Sequence, residues 1–299
     1  MLTGVQIAFI GGDARQLEII KHCIEQDATV YLMGFDNLDS EFSGTRKGDL
    51  TPEIRQTLDV LVLPIVGTDE NGYVESIFTS KKIRLTNDWM MPLSETCTIY
   101  TGMAKPYLHN LCQRRGIKLV ELLERDDVAI YNSIPTVEGA LMMAIQHTNI
   151  TLHGSTVVVL GLGRVGLTLS RTLKALGAHV RVGVRKSEHF ARADEMRLGP
   201  FYTDHLASHV RDADIVFNTV PAHVVTAEVI KQMPGHTLII DLASKPGGTD
   251  FRYAEKRGIK AMLAPSLPGI VAPKTAGRIL AVTLSQLIQE QIRQQEGAS

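Results

Sequence analysis

Apolar positions along this chain fall in short runs separated by stretches of helical period, and the alternation repeats from end to end. It is clearest in residues 155–187. Thr156–Leu160 is a β-branched, apolar run of the kind carried by a strand buried on both faces. GLGRVG follows, with glycines at 161, 163 and 166. Val165, Leu169, Leu173 and Leu176 then recur at helical spacing, Gly177 stands where a helix should stop, and His179–Val184 reads as the next strand. Strands are predicted again over 214–220, 237–242 and 259–263, with helices over 226–233 and 251–257 between them. A last helix over 273–297, apolar at Ile279, Val282, Leu287 and Ile288, is expected to pack back on the first half of the chain.

The first half has the same rhythm. Strands are predicted at Gln6–Ile10, 29–34, 58–66, 97–101 and 117–122. One helix carries Leu17, Ile20 and Ile24 with Asp13 as its N-cap, and another covers Pro106–Arg115 up to Gly116. Residues 36–49 are polar and glycine-containing and read as a loop. Residues 126–150 look largely helical, with Val137, Leu141, Ala144 and Ile145 apolar; Pro135 should end one helix near Ile134 and begin another. The pattern predicts an α/β protein of two doubly wound, Rossmann-like domains. Residues 1–125 form a substrate domain, 126–150 a connection and 151–299 a dinucleotide domain.

Chemistry concentrates at the glycine turn. In a strand–GxGxxG–helix context the first glycine permits the bend, the second admits a pyrophosphate and the third lets helix and strand pack closely. Gly161, Gly163, Arg164, Val165 and Gly166 are therefore expected to hold a dinucleotide. The next strand ends in Arg185, Lys186 and Ser187 rather than in the carboxylate that suits a free ribose. A guanidinium there can grip a 2′-phosphate, so the expected cofactor is NADP(H). The loops bearing Thr219, Val220, Pro221 and Ala243 open on the same crevice and should flank the nicotinamide end.

Other candidates are thinner. GGDAR after the first strand lacks the third glycine and is not read as a second dinucleotide site, but Arg15 sits where open α/β sheets bind ligands. A helix start at Ser133–Thr136 could receive an anion, or those residues could simply cap. His223 is the histidine nearest the crevice loops, and no His–Glu or His–Asp pairing of the kind used on alcohols accompanies it.

Composition narrows the class without changing this picture. The chain has 299 residues, 44% of them hydrophobic, and a net charge of −1, which gives no basis for broad attraction to nucleic acid or membranes. No leader-like opening and no run of membrane-spanning length is read. Cys23, Cys97 and Cys112 have no metal-type spacing, so buried thiols in a reducing cytoplasm are expected, and no metal site.

Taken together, the two domains resemble the formate, glycerate and alanine dehydrogenase superfamily. GGDAR, YNSIPTVEGAL, GLGRVG with VRKS, IDLASKPGG and LPGIVAPKTAG resemble, more closely, the family of bacterial dipicolinate synthase A subunits. That resemblance implies oxidation of dihydrodipicolinate to dipicolinate with NADP⁺ in the mother cell of a sporulating bacterium. It also implies that the partner is a flavoprotein-like B subunit. A substrate with two carboxylates is expected to use Arg15 for one and the Ser133–Thr136 segment for the other, with Lys105 a further candidate. The proton acceptor stays open between His223 and water, and a homo-oligomer stays open. The competing readings are a 2-hydroxyacid or amino-acid dehydrogenase and a nucleotide-sensing protein without chemistry.

Overall fold

The computed structural model describes residues 1–38 and 42–296. The chain divides into two compact units, Met1–Tyr131 with Ala272–Ser299, and Asn132–Val271.

The first unit contains β1 (Gln6–Ile10), α1 (Ala14–Glu25), β2 (Thr29–Met33), β3 (Thr45–Lys47), α2 (Pro52–Gln56) and β4 (Val60–Val62). A small hairpin, β5 (Tyr73–Val74) and β6 (Ile83–Arg84), precedes α3 (Asn87–Met90), β7 (Thr98–Thr101), α4 (Pro106–Arg115) and β8 (Lys118–Glu121). Six parallel strands run in the order β3-β2-β1-β4-β7-β8. The sheet has one strand more than the pattern predicts. β3 lies inside the segment read as a loop, because Thr-Arg-Lys on a sheet edge carries no apolar signature. Residues 39–41 of that segment, and residue 297 of the last helix, lie outside the described residues.

The connection is α5 (Asp126–His147), a continuous helix with Pro135 in its interior. The break expected at Pro135 is absent. Proline removes one N–H bond, at a cost of about 3 kcal/mol. Burial of Val128 in one core and of Val137, Ala140 and Ala144 in another offsets that cost. Among the described residues α5 alone has the length and apolar content of a membrane span, which the hydropathy pattern did not suggest. Val128, Val137, Ala140 and Ala144 of this helix are buried, whereas Ile130, Tyr131 and Ile134 are exposed. Ile145, assigned to the apolar face, is exposed.

The second unit repeats the topology. It holds β9 (Thr156–Leu160), α6 (Arg164–Ala175), β10 (His179–Val184), α7 (Ser187–Glu195), β11 (Pro200–Tyr202), α8 (Leu206–His209), β12 (Ile215–Asn218), α9 (Ala227–Ile230), β13 (Leu238–Asp241), α10 (Phe251–Lys256), β14 (Lys260–Leu263) and α11 (Leu267–Val271). All six sheet strands are parallel, in the order β11-β10-β9-β12-β13-β14. Val157, Val158, Val159 and Leu160 are fully buried because helices cover both faces of β9. α6 buries Leu169 and Leu173, whereas Leu176 is its exposed C-cap, followed by Gly177 at φ +84°.

The last helix, α12 (Pro273–Glu296), belongs to the first unit and lies along α1. It buries Ala276, Leu280, Ala281, Leu284 and Ile288, and leaves Val282 exposed. Gly277 allows the close approach: a Cβ there would stand 2.5 Å from the carbonyl oxygen of Arg15. Arg278 Nε reaches Glu18 Oε2 at 3.3 Å, and His22 Nε2 lies 3.1 Å from Ser285 Oγ.

All three thiols are buried, and burial pushes Cys23 and Cys97 up to about 12 and Cys112 up to about 11. Thiolate is the reactive form. A thiol-disulfide reagent at neutral pH should therefore titrate no cysteine in the native protein and all three after denaturation. A rapidly reacting native thiol would contradict the packing around these side chains.

Candidate dinucleotide site and crevice loops

Both sheets reverse strand order beside their first strand, at β1/β4 and at β9/β12, and ligands of open α/β sheets bind at such points. In the second unit the position is open. A cavity of ≈ 540 Å³ is lined by Gly161, Leu162, Gly163, Gly183, Val184, Arg185, Lys186, His189, Thr203, Thr219, Val220, Pro221 and Val224. The three glycines of the turn play separate parts. Gly161 sits at φ +94°, and a Cβ there would stand 2.5 Å from Thr219 Oγ1. A Cβ at Gly166 would run into the carbonyl oxygen of Gly161, so helix and turn meet only through glycine. Gly163 differs. Its φ is −79°, open to any residue, and nothing lies within 4 Å of where its Cβ would be. The fold makes no demand for glycine at this position; an approaching phosphate does.

Seven expected cofactor residues line the cavity: Gly161, Gly163, Arg185, Lys186, Thr219, Val220 and Pro221. Arg164, Val165 and Gly166 form the first turn of α6, and Ser187 begins α7. Ala243 is buried away from the cavity, its N–H bonded to Asp241 Oδ1 at 3.1 Å. Thr219 is fixed by donating Oγ1–H to the carbonyl of Leu160 at 2.7 Å. The residues that the sequence did not single out include His189 and Thr203. Thr203 follows β11, a three-residue strand without a readable pattern.

The loops after β12 and β13 are joined through Asp241, which is fully buried. Its carboxylate accepts four hydrogen bonds: from Asn218 Nδ2 at 3.0 Å, Ala243 N at 3.1 Å, Gly248 N at 2.8 Å and Thr249 Oγ1 at 2.6 Å. Asn218 also closes the turn that carries Thr219 and Val220, since its Oδ1 accepts from Val220 N at 3.0 Å. The carbonyl of Gly248 accepts from Val224 N and Val225 N at 3.0 and 2.9 Å. One carboxylate thus holds both crevice loops, and the sequence did not mark it. His223 is exposed on the first of these loops, between the cavity-lining Pro221 and Val224.

The corresponding turn in the first unit is closed. Gly11 N donates to the carbonyl of Met33 at 2.9 Å just as Gly161 N donates to that of Gly183 at 2.9 Å, so the two turns occupy equivalent places. Residues 74–83 fill the space that is open in the second unit. Gly12 N donates to the Glu75 carbonyl at 2.9 Å and Ser76 Oγ to that of Gly34 at 2.9 Å. Phe78 stacks on Phe35 with centroids 5.3 Å apart, and Thr79 Oγ1 and Lys81 Nζ bond Asp36 at 2.6 and 2.9 Å. A dinucleotide has no room there.

Arg15 stands in the first turn of α1, folded onto Asp13 through Nε at 3.0 and 3.1 Å and Nη2 at 2.5 Å. Burial pushes the Asp13 carboxyl up, but the hydrogen bonds and charge of Arg15 outweigh it and leave the group below its ordinary value. Lys105 is the N-cap residue of α4 and makes no side-chain cap bond. Ser133 and Thr136 are in the interior of α5, not at a helix start, so the anion site expected of them falls. Ser133 is buried with Oγ 2.8 Å from Thr168 Oγ1, and Thr136 donates its hydroxyl to the Asn132 carbonyl at 2.8 Å.

Paired Rossmann-like sheets with an open glycine turn in the second define a two-domain dinucleotide-binding fold. Solved members share the fold: a transhydrogenase from Sinorhizobium meliloti has a TM-score of 0.68 at 17% identity, covering 96% of this chain and 94% of its own. Residues 136–244 match the NAD binding domain of D-isomer specific 2-hydroxyacid dehydrogenases, and residues 6–123 match the N-terminal domain of the dipicolinate synthase A subunit. Over 297 residues the chain is 54% identical to the A subunit of dipicolinate synthase from Bacillus subtilis, covering 99% of this chain and 100% of that one. Crystal structures of the A subunits from Bacillus subtilis and Bacillus halodurans, each 54% identical, give TM-scores of 0.94 and 0.93. They cover 98% and 96% of this chain, and 99% of each of those chains. The chain belongs to the family of dipicolinate synthase A subunits.

Proposed function

We propose that this protein oxidises dihydrodipicolinate to dipicolinate with NADP⁺, as the A subunit of a dipicolinate synthase in the mother cell of a sporulating bacterium. A flavoprotein-like B subunit is its partner. The observation that carries the reading is Gly163, a glycine without a structural reason, at the mouth of a cavity whose walls include Arg185 and Lys186. The family supports the substrate. Arg185, exposed at the end of β10, presents a guanidinium suited to a 2′-phosphate.

When bound, the nicotinamide accepts the hydride that the dihydro ring gives up. The chain's own residues bind and orient. The ring also loses a carbon-bound proton and becomes aromatic, so its acceptor need not be strongly basic; exposed His223 or water serves. Arg15 and Lys105 hold the substrate carboxylates. Asp13 engages Nε and Nη2 of Arg15 and fixes its orientation, leaving Nη1 for a carboxylate oxygen.

Replacing Arg15 tests the substrate half of this reading. Arg15→Ala should leave NADPH affinity intact and lower kcat/KM for dihydrodipicolinate by about 2–4 kcal/mol in transition-state free energy, the loss of a charged hydrogen bond and its orientation. Arg15→Lys should recover only part, because lysine lacks the planar fork. Wild-type kcat/KM in Arg15→Ala would remove Arg15 from the substrate site.

A further inference from the structure

The wall of the cavity near Arg185 is built from more than the tip of β10. His189, in the first turn of α7, and Thr203, directly after β11, line it together with Arg185 and Lys186. Their neighbours in sequence lock the two elements together: Phe190 stacks on Tyr202 with centroids 4.9 Å apart and an interplanar angle of 22°. His189 and Thr203 therefore belong to one supported surface. Lys186 is partly answered within the chain, its Nζ 3.6 Å from Glu188 Oε1.

A ribose 2′-hydroxyl needs none of this positive charge. A 2′-phosphate brings between one and two negative charges and three acceptor oxygens. A guanidinium satisfies two of those oxygens in parallel. With Lys186 shared with Glu188, the remaining oxygen looks to the other donors on the wall. We propose that His189 and Thr203 are specificity-determining residues that donate a ring N–H and a hydroxyl to the 2′-phosphate of NADP(H). This inference rests on the NADP reading above and deepens it.

The test is calorimetric titration of the full-length protein with NADPH and with NADH, for the wild type, Arg185→Ala, His189→Ala and Thr203→Val. NADH binding also serves as the control for folding. His189→Ala should weaken NADPH about tenfold and Thr203→Val about threefold, with NADH changed less than about twofold. If Arg185→Ala collapses the preference while His189→Ala and Thr203→Val keep the wild-type ratio, this inference is overturned and the NADP reading stands. If only one of the two moves the ratio, the assignment holds for that residue and is overturned for the other. Equal wild-type affinities for the two cofactors overturn both the inference and the reading beneath it.

Discussion

Gly163→Val should abolish dinucleotide binding while leaving the fold in place. A Cβ at this position would have no protein atom within 4 Å and the backbone angles are ordinary, so the expected change in stability is small, about 1 kcal/mol or less from the altered helix cap. The valine side chain projects into the space a pyrophosphate must enter, and affinity for NADPH should fall by about a hundredfold or more, because the ligand's close backbone contacts cannot form. Thermal melting and titration of one preparation check both halves. A variant that melts as the wild type does and still binds NADPH with wild-type affinity would place the dinucleotide elsewhere.

Asp241→Ala should strongly destabilise the second unit. It leaves four buried donors, from Asn218, Ala243, Gly248 and Thr249, without their acceptor. Each unsatisfied buried group costs about 1–3 kcal/mol, and partial refilling by water brings the expected loss to about 3–5 kcal/mol. Asp241→Asn keeps the shape but turns an amide toward one pair of donors, so roughly half that loss is expected. Denaturant unfolding measures both. Because the same network holds the loop carrying Thr219, Val220 and Pro221, the milder variant should also weaken NADPH binding. Asp241→Ala unfolding at the wild-type denaturant concentration would mean that water replaces the carboxylate completely.

These two residues differ in how readily the sequence exposes them. Gly163 is legible because a β-branched run, a glycine turn and an amphipathic helix form a contiguous pattern whose geometry is known in advance. The strands of both sheets that are buried on two faces are legible for the same reason: Val157, Val158 and Val159 admit few alternatives. Asp241 falls inside the strand predicted over 237–242 and reads as one polar residue near its end; only the fold brings its four donors around it. β3 and β11 are edge strands of three residues, too short for a period, and Thr203 is hidden with β11. Pro135 misleads because local propensity predicts a break that tertiary burial on both sides overrides. Leu176 and Val282 are apolar and in helical register, yet they lie at a helix end and on an outer face, and spacing alone does not register that difference.

Oxidation of a dicarboxylated dihydropyridine with NADP⁺ is the activity proposed for this chain. Its most direct test gives purified protein dihydrodipicolinate with NADP⁺ or with NAD⁺, and follows dipicolinate and reduced nicotinamide together. The account predicts dipicolinate and NADPH formed one for one, with NAD⁺ a much poorer acceptor. No dipicolinate with either cofactor, even with the B subunit present, or equal rates with both cofactors, would contradict it.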